Sequence, residues 1–110
     1  MEGLVRGDII VIDFPYSDLS VWKRRPVFVV KVPKGGDILV CQITSESYED
    51  SVEIIIRKED FNNGSLKVES YLRMDKIFSV EKSLIKYKIG SLKKEKINFI
   101  IDSVCSFLKS

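Results

Sequence analysis

The sequence predicts a mostly β protein, a small antiparallel barrel that ends in one C-terminal α-helix. Short apolar runs rich in Val and Ile recur at Ile9–Phe14, Val27–Val32, Ile38–Thr44 and Val52–Ile56, with Gly, Pro, Asn, Asp or Ser near their ends. No long helical pattern falls between them, so the crossovers that parallel strands need are missing. Only beyond Leu92 does the apolar spacing turn helical. A chain of 110 residues reads as one domain spanning 1–110, large enough for a real core.

Taken in order, Ile9–Phe14 is short and mostly apolar, a strand buried on both sides or curling into a barrel, and Pro15 ends it. Residues Tyr16–Arg25 then read as a long loop holding Ser17, Asp18, Ser20 and Trp22 and finishing in Lys23-Arg24-Arg25-Pro26. The strands Val27–Val32 and Ile38–Thr44 are joined through Pro33-Lys34-Gly35-Gly36-Asp37, where glycine supplies the positive φ of a tight hairpin. Period two puts Val40, Gln42 and Thr44 on one face of the third strand and Leu39, Cys41 and Ile43 on the other. Ser45–Ser51 is a polar loop, Val52–Ile56 a fourth strand, Lys58–Phe61 one helical turn, and Asn62-Asn63-Gly64 a turn, with Leu66–Val68 ambiguous. Ser70–Lys76, Ile77–Val80 and Leu84–Ile89 read as further strands, the last two around a turn near Glu81–Ser83. Ser91 is placed to cap a helix whose apolar stripe is Ile97, Ile100, Ile101, Val104, Cys105 and Leu108. That helix reads as a lid docked on the sheet, with a subunit interface as the other reading.

Composition narrows the chemistry. An apolar share of 45% and a charged share of 31% are those of an ordinary globular protein. No apolar run reaches the roughly 20 residues that cross a bilayer. Met1-Glu2-Gly3 leads straight into a strand, so the expectation is no leader peptide and a cytoplasmic address. The chain has no histidine, which removes Ser-His-Asp and Cys-His catalysis and His-based metal sites. Two separated cysteines, Cys41 and Cys105, cannot hold a structural zinc and read as buried reduced thiols. No metal or cofactor is called for. Any proton transfer must then run through carboxylate, Arg, Lys, Tyr or water. Net charge is only +2, so the placing of the basic residues matters more than their sum. The cluster Lys82, Lys86, Lys88, Lys93, Lys94 and Lys96 is compatible with nucleic acid but reads more simply as a solvated surface.

Two stretches stand out. Lys23-Arg24-Arg25 carries fixed positive charge to the rim of a sheet, where it suits a polyanion. Beside it, Trp22 has two readings, stacking on a nucleic-acid base or packing against the barrel or a partner subunit. On Ser70–Lys76, alternation sets Tyr71, Arg73 and Asp75 on one outward face, with Leu72 and Met74 toward the core. Arg73 and Asp75 are then either a surface ion pair of little worth or an acid–base or phosphate-binding pair.

The segments Gly7-Asp8-Ile9-Ile10, Asp13-Phe14-Pro15-Tyr16-Ser17-Asp18, Lys23-Arg24-Arg25-Pro26 and Gln42-Ile43-Thr44-Ser45 resemble the MazF/PemK family of toxins. So do Ser70-Tyr71-Leu72-Arg73-Met74-Asp75 and Lys88-Ile89-Gly90-Ser91-Leu92 with the final helix. The resemblance runs in order over nearly the whole chain. It implies an SH3-like barrel with a C-terminal helix, a homodimer, and a metal-independent endoribonuclease of a type II toxin–antitoxin system that cuts single-stranded RNA. It also implies a cognate antitoxin with an acidic or disordered tail that folds onto the toxin. By position, it assigns Arg25, Thr44, Arg73 and Asp75 to catalysis. Lys23, Arg24, Trp22, Gln42 and Tyr71 are the candidate RNA contacts around them.

Such a set is chemically sufficient, because RNA carries its own nucleophile in the 2′-hydroxyl. The protein must supply a base, for which Asp75 is the best candidate, and a cation for the charge that develops on phosphorus, for which the planar fork of Arg25 is suited. Thr44 can donate to a phosphate oxygen. Arg73 either stabilises charge or acts as the acid, a role that its ordinary pKa above 12 makes difficult. Two other readings share the barrel: a CcdB-like toxin that binds and inhibits DNA gyrase without cutting RNA, and an inactive RNA-binding relative.

Overall fold

The computed structural model describes residues 3–15 and 22–110, with the side chains of Pro15 and Trp22 left undescribed; the expectations for residues 16–21 and for the Trp22 ring lie outside that range. The described residues form one curled sheet of seven strands and a C-terminal helix. The strands are β1 (Asp8–Pro15), β2 (Trp22–Lys31), β3 (Ile38–Thr44), β4 (Glu53–Ile56), β5 (Phe61–Asn63), β6 (Ser70–Val80) and β7 (Ile85–Leu92), and α1 spans Lys94–Lys109. Their spatial order is β4-β6-β3-β2-β1-β7-β5, antiparallel at every neighbour. The sheet curls into a half-barrel, with β4 and β5 at its edges.

Alternation along β2 shows why the central strands are apolar throughout. Phe28 and Val30 enter one core with Ile9, Cys41, Ile43, Leu72, Ile100 and Val104, while Val27 and Val29 enter a second with Ile10, Ile12, Ile38, Val40 and Val80. The first core lies under α1. The second is edged by Phe14 and Phe78, whose rings meet edge-on with centroids 5.2 Å apart. Both faces are therefore buried, as a strand of continuous Ile and Val requires.

The β2–β3 hairpin turns where expected, with Gly35 at φ +64°. A second glycine fixes the helix. Gly7 takes φ +95°, and a Cβ there would run into the side chain of Ile97 on α1. Next to it, Asp8 is fully buried; its Oδ2 accepts the Val5 N–H at 2.9 Å and its Oδ1 lies 3.1 Å from Lys88 Nζ.

Several expectations are corrected. Lys23, Arg24 and Arg25 are strand residues of β2, not the end of a loop, because β1 reaches far enough to pair Asp13 with Arg24 and Phe14 with Lys23. Ser91 is inside β7, opposite Asp8, and α1 is capped at Lys93 with no side-chain cap. Ser70–Val80 is one strand. The helix stripe narrows to Ile97, Ile100, Ile101, Val104 and Phe107, which leaves Leu108 and Cys105 exposed. Cys41 alone is the buried thiol, and both cysteines are free. The late lysines are solvent-facing as expected except for the partly buried Lys96, and Lys86, Lys88 and Lys96 also pair with Asp13, Asp8 and Asp60.

Candidate functional site

Pro26 opens the site. The β2–β3 ladder starts at Val27 opposite Gln42, and Pro26 has no N–H with which to extend it. Beyond that point the start of β2 stays with β1 while the end of β3 stays with β6, where Thr44 pairs with Tyr71. A groove of about 430 Å³ lies there, with Arg24, Arg25 and Lys67 among its polar walls. Its apolar lining includes Val11, Ile43, Leu66, Val68 and Ile89, with the half-exposed ring of Tyr87. Thr44 lines it too. The Thr44 hydroxyl accepts the Glu46 N–H at 3.2 Å and keeps its own O–H as a donor.

Thr44 also lines a second hollow of about 330 Å³, together with Gln42, Tyr48, Asp50, Arg73, Asp75 and Lys76. This hollow exists because β6 leaves its ladder. Cys41 pairs with Ile77 and Ile43 with Leu72, so β6 spends five residues where β3 spends two. A bulge of this kind re-aims side chains, and bulges gather next to active sites. Here it places Leu72, Arg73 and Met74 in succession out of solvent. The outward placing of Arg73 expected from strict alternation is corrected accordingly: its side chain is 10% exposed.

Arg73 is surrounded by acceptors. Nη1 donates to both Asp50 oxygens at 2.9 and 3.0 Å, while Nε and Nη2 donate to Asp75 at 3.2 and 3.4 Å. The Tyr48 ring covers it, 5.1 Å from its centroid to the guanidinium carbon. Burial works to lower the Arg73 pKa, but the hydrogen bonds and charges of Asp50 and Asp75 outweigh it and raise the pKa above its ordinary value. That makes Arg73 a poor proton donor and a strong holder of carboxylates.

Of the residues singled out by sequence, Arg24, Arg25 and Thr44 meet in the groove, and Gln42, Thr44, Arg73 and Asp75 meet in the hollow. Lys23 is exposed at the outer end of β2 and Tyr71 is half-buried; neither lines the two cavities. Sequence reasoning missed Tyr48, Asp50, Lys76 and Tyr87. The signal for two of them was present in Glu46-Ser47-Tyr48-Glu49-Asp50, an aromatic set among acids directly after Thr44-Ser45.

Comparison with known proteins gives a consistent answer. The model of the PemK-like, MazF-like toxins of type II toxin–antitoxin systems matches residues 5–108. No curated protein sequence matches the chain. Among solved structures, an endoribonuclease in complex with its cognate antitoxin from Mycobacterial species superposes with a TM-score of 0.75 at 16% identity, covering 99% of this chain and 96% of that one. The MazE–MazF structure from Deinococcus radiodurans gives a TM-score of 0.75 at 17% identity, covering 96% of both chains. At that identity the likeness speaks for the fold, and the family match carries the assignment: the chain belongs to the PemK-like, MazF-like toxins of type II toxin–antitoxin systems.

Proposed function

We propose that this toxin is a metal-independent endoribonuclease that cuts single-stranded RNA, leaving 2′,3′-cyclic phosphate and 5′-hydroxyl ends. The observation that carries the proposal is the position of Thr44, which lines both the cationic groove of Arg25 and the hollow of Arg73 and Asp75. A phosphate seated at Thr44 has a guanidinium on one side and a carboxylate on the other, which is the pair that transesterification by the 2′-hydroxyl needs.

In the reaction, Asp75 takes the proton of the 2′-hydroxyl, and the 2′-oxygen attacks the adjacent phosphorus. Arg25 and the Thr44 O–H stabilise the charge on the phosphate oxygens as the bond to the 5′-oxygen breaks, and water protonates the leaving oxygen. Arg73 holds Asp75 and does not act as the acid, in keeping with its raised pKa. The nucleophile belongs to the substrate, so no metal-bound hydroxide is required. The groove suits a single strand: Arg24 and Lys67 face the phosphates, and Tyr87 with its apolar surroundings offers a face to an unstacked base.

The solved relatives include complexes with an antitoxin, and a cognate antitoxin with an acidic, disordered tail is proposed as the partner of this chain, bound across the same cationic groove. Salt should weaken that complex and RNA should compete with it. A homodimer and a cytoplasmic location belong to the same proposal; among the described residues no helix is long and apolar enough to cross a membrane. The test is end-group analysis of RNA treated with the protein in EDTA. Cyclic-phosphate and 5′-hydroxyl ends support the reading, whereas cleavage only with Mg²⁺, or 5′-phosphate ends, overturns it.

A further inference from the structure

The loop between β3 and β4 folds around the carboxylate of Glu53, with the Ser47 hydroxyl also accepting the Glu49 N–H at 3.1 Å. Glu53, the register partner of Arg73 across β4 and β6, accepts the Ser47 hydroxyl at 2.6 Å, the Glu49 N–H at 3.0 Å and the Tyr48 N–H at 3.2 Å. Glu49 takes φ +50°, a conformation that a non-glycine residue keeps where its surroundings hold it there. Folded in this way, the loop sets the Tyr48 ring over Arg73 and brings the Asp50 carboxylate onto Nη1, with Asp50 itself accepting the Val52 N–H at 3.2 Å. A guanidinium is rigid and planar, so holding Nη1 and one face also fixes the directions in which Nε–H and Nη2–H point. Those two groups hold Asp75.

We propose that Asp50 is a positioning residue of the cleavage site: carried by the loop that Glu53 folds, it locks the Arg73 guanidinium so that Nε and Nη2 hold Asp75 at the hollow shared with Thr44. The inference rests on the ribonuclease reading and deepens it, since it assigns Asp50 and Glu53 to the geometry of the base and not to binding RNA. Asp50 touches no reacting atom, and its effect reaches the reaction only through Arg73.

The test uses the full chain with Asp50→Asn, Asp50→Glu and Glu53→Gln. Cleavage is measured as kcat and KM on a fixed RNA, and hydrogen exchange of the Arg73 Nε–H is followed by nitrogen-15 NMR. Asp50→Asn is expected to lower kcat at least tenfold with KM within twofold and to speed Nε–H exchange. Asp50→Glu should recover part of both, and Glu53→Gln should act in the same direction more weakly. An unchanged or raised kcat in Asp50→Asn, or unchanged Nε–H exchange, overturns the proposal. If Asp50→Asn does not fold, Glu53→Gln with the same two readouts decides. If folded wild type leaves RNA intact, the ribonuclease reading falls, and the exchange rates alone decide whether Asp50 locks Arg73.

Discussion

Arg73 and Asp75 meet through two separate N–H groups, Nε 3.2 Å from Oδ1 and Nη2 3.4 Å from Oδ2. Lysine has a single ammonium on a flexible stem and cannot reproduce that fork while also reaching Asp50. Arg73→Lys is therefore expected to cut RNA cleavage at least tenfold. Charged hydrogen bonds are worth roughly 1.5–3 kcal/mol each, but both carboxylates are more than a third exposed, so the stability loss should be only about 1–2 kcal/mol. Urea denaturation beside a cleavage assay checks both; a variant with wild-type rate would show that the fork is not needed.

Burial pushes the Cys41 thiol from 9.0 up to about 12. The unfolded chain releases this proton from about pH 9, while the folded chain keeps it to about pH 12. Across that window the unfolded state binds fewer protons, so the Cys41 contribution is complete below pH 9 and is lost as the pH rises, by at most about 1.4 kcal/mol per pH unit. Cys41→Ala should remove that share of the alkaline slope while lowering stability at neutral pH by about 1 kcal/mol. Identical slopes for wild type and variant between pH 9 and 10.5 would contradict the burial argument. A thiol reagent should meanwhile modify exposed Cys105 in the native protein and Cys41 only on unfolding.

Gly7 sits where α1 comes down on the sheet. Gly7→Ala demands both φ +95° from an alanine and room that Ile97 already fills. The strained φ and the overpacking each cost about 1–3 kcal/mol. A clear drop in Tm is expected. Because Ile97→Ala itself removes core packing, relief of the clash shows as a smaller loss for Gly7→Ala in the Ile97→Ala background than in wild type. Equal losses in the two backgrounds would mean that strain at Gly7, and not the contact with Ile97, sets the loss.

The groove gives a salt test. Arg24→Ala should weaken binding of single-stranded RNA across sequences and reduce the salt slope by about 0.7 if it neutralises one phosphate. Tyr87→Ala should cost about 1–3 kcal/mol of binding if the ring carries a stacked base, with the salt slope unchanged. A salt slope unaltered in Arg24→Ala would remove that arginine from the interface.

The apolar strands, the Gly35 hairpin and the late helix were legible because each is encoded locally, by β-branched runs, a turn dipeptide and a change of period. The pairing of Arg25 with Thr44 in one groove was legible from family motifs, although its cause, the ladder stopping at Pro26, depends on where β3 leaves β2. The placing of Arg73 was not legible. Period two holds only while both strands advance together, and the five-for-two step between Ile77 and Leu72 is set by how β3 and β4 share β6. Asp50 escaped for a similar reason: the acids around Tyr48 mark the segment, but the meeting of Asp50 with Arg73 depends on hydrogen bonds that Glu53 makes to the loop, which the residue pattern does not specify. Ser91 looked like a helix cap, but pairing with β1 carries β7 through it.

In the proposed mechanism, Arg25 and Asp75 act on one phosphate from the two sides of Thr44. Its most direct test is cleavage of a long unstructured RNA in EDTA by wild type, Arg25→Ala and Asp75→Asn, with RNA affinity and end groups measured for each. Wild type should give cyclic-phosphate products, and both variants should lose at least a hundredfold in rate. Affinity should fall in Arg25→Ala and hold in Asp75→Asn. Folded wild type that leaves the RNA intact, or an Asp75→Asn variant that cuts at the wild-type rate, would contradict that mechanism.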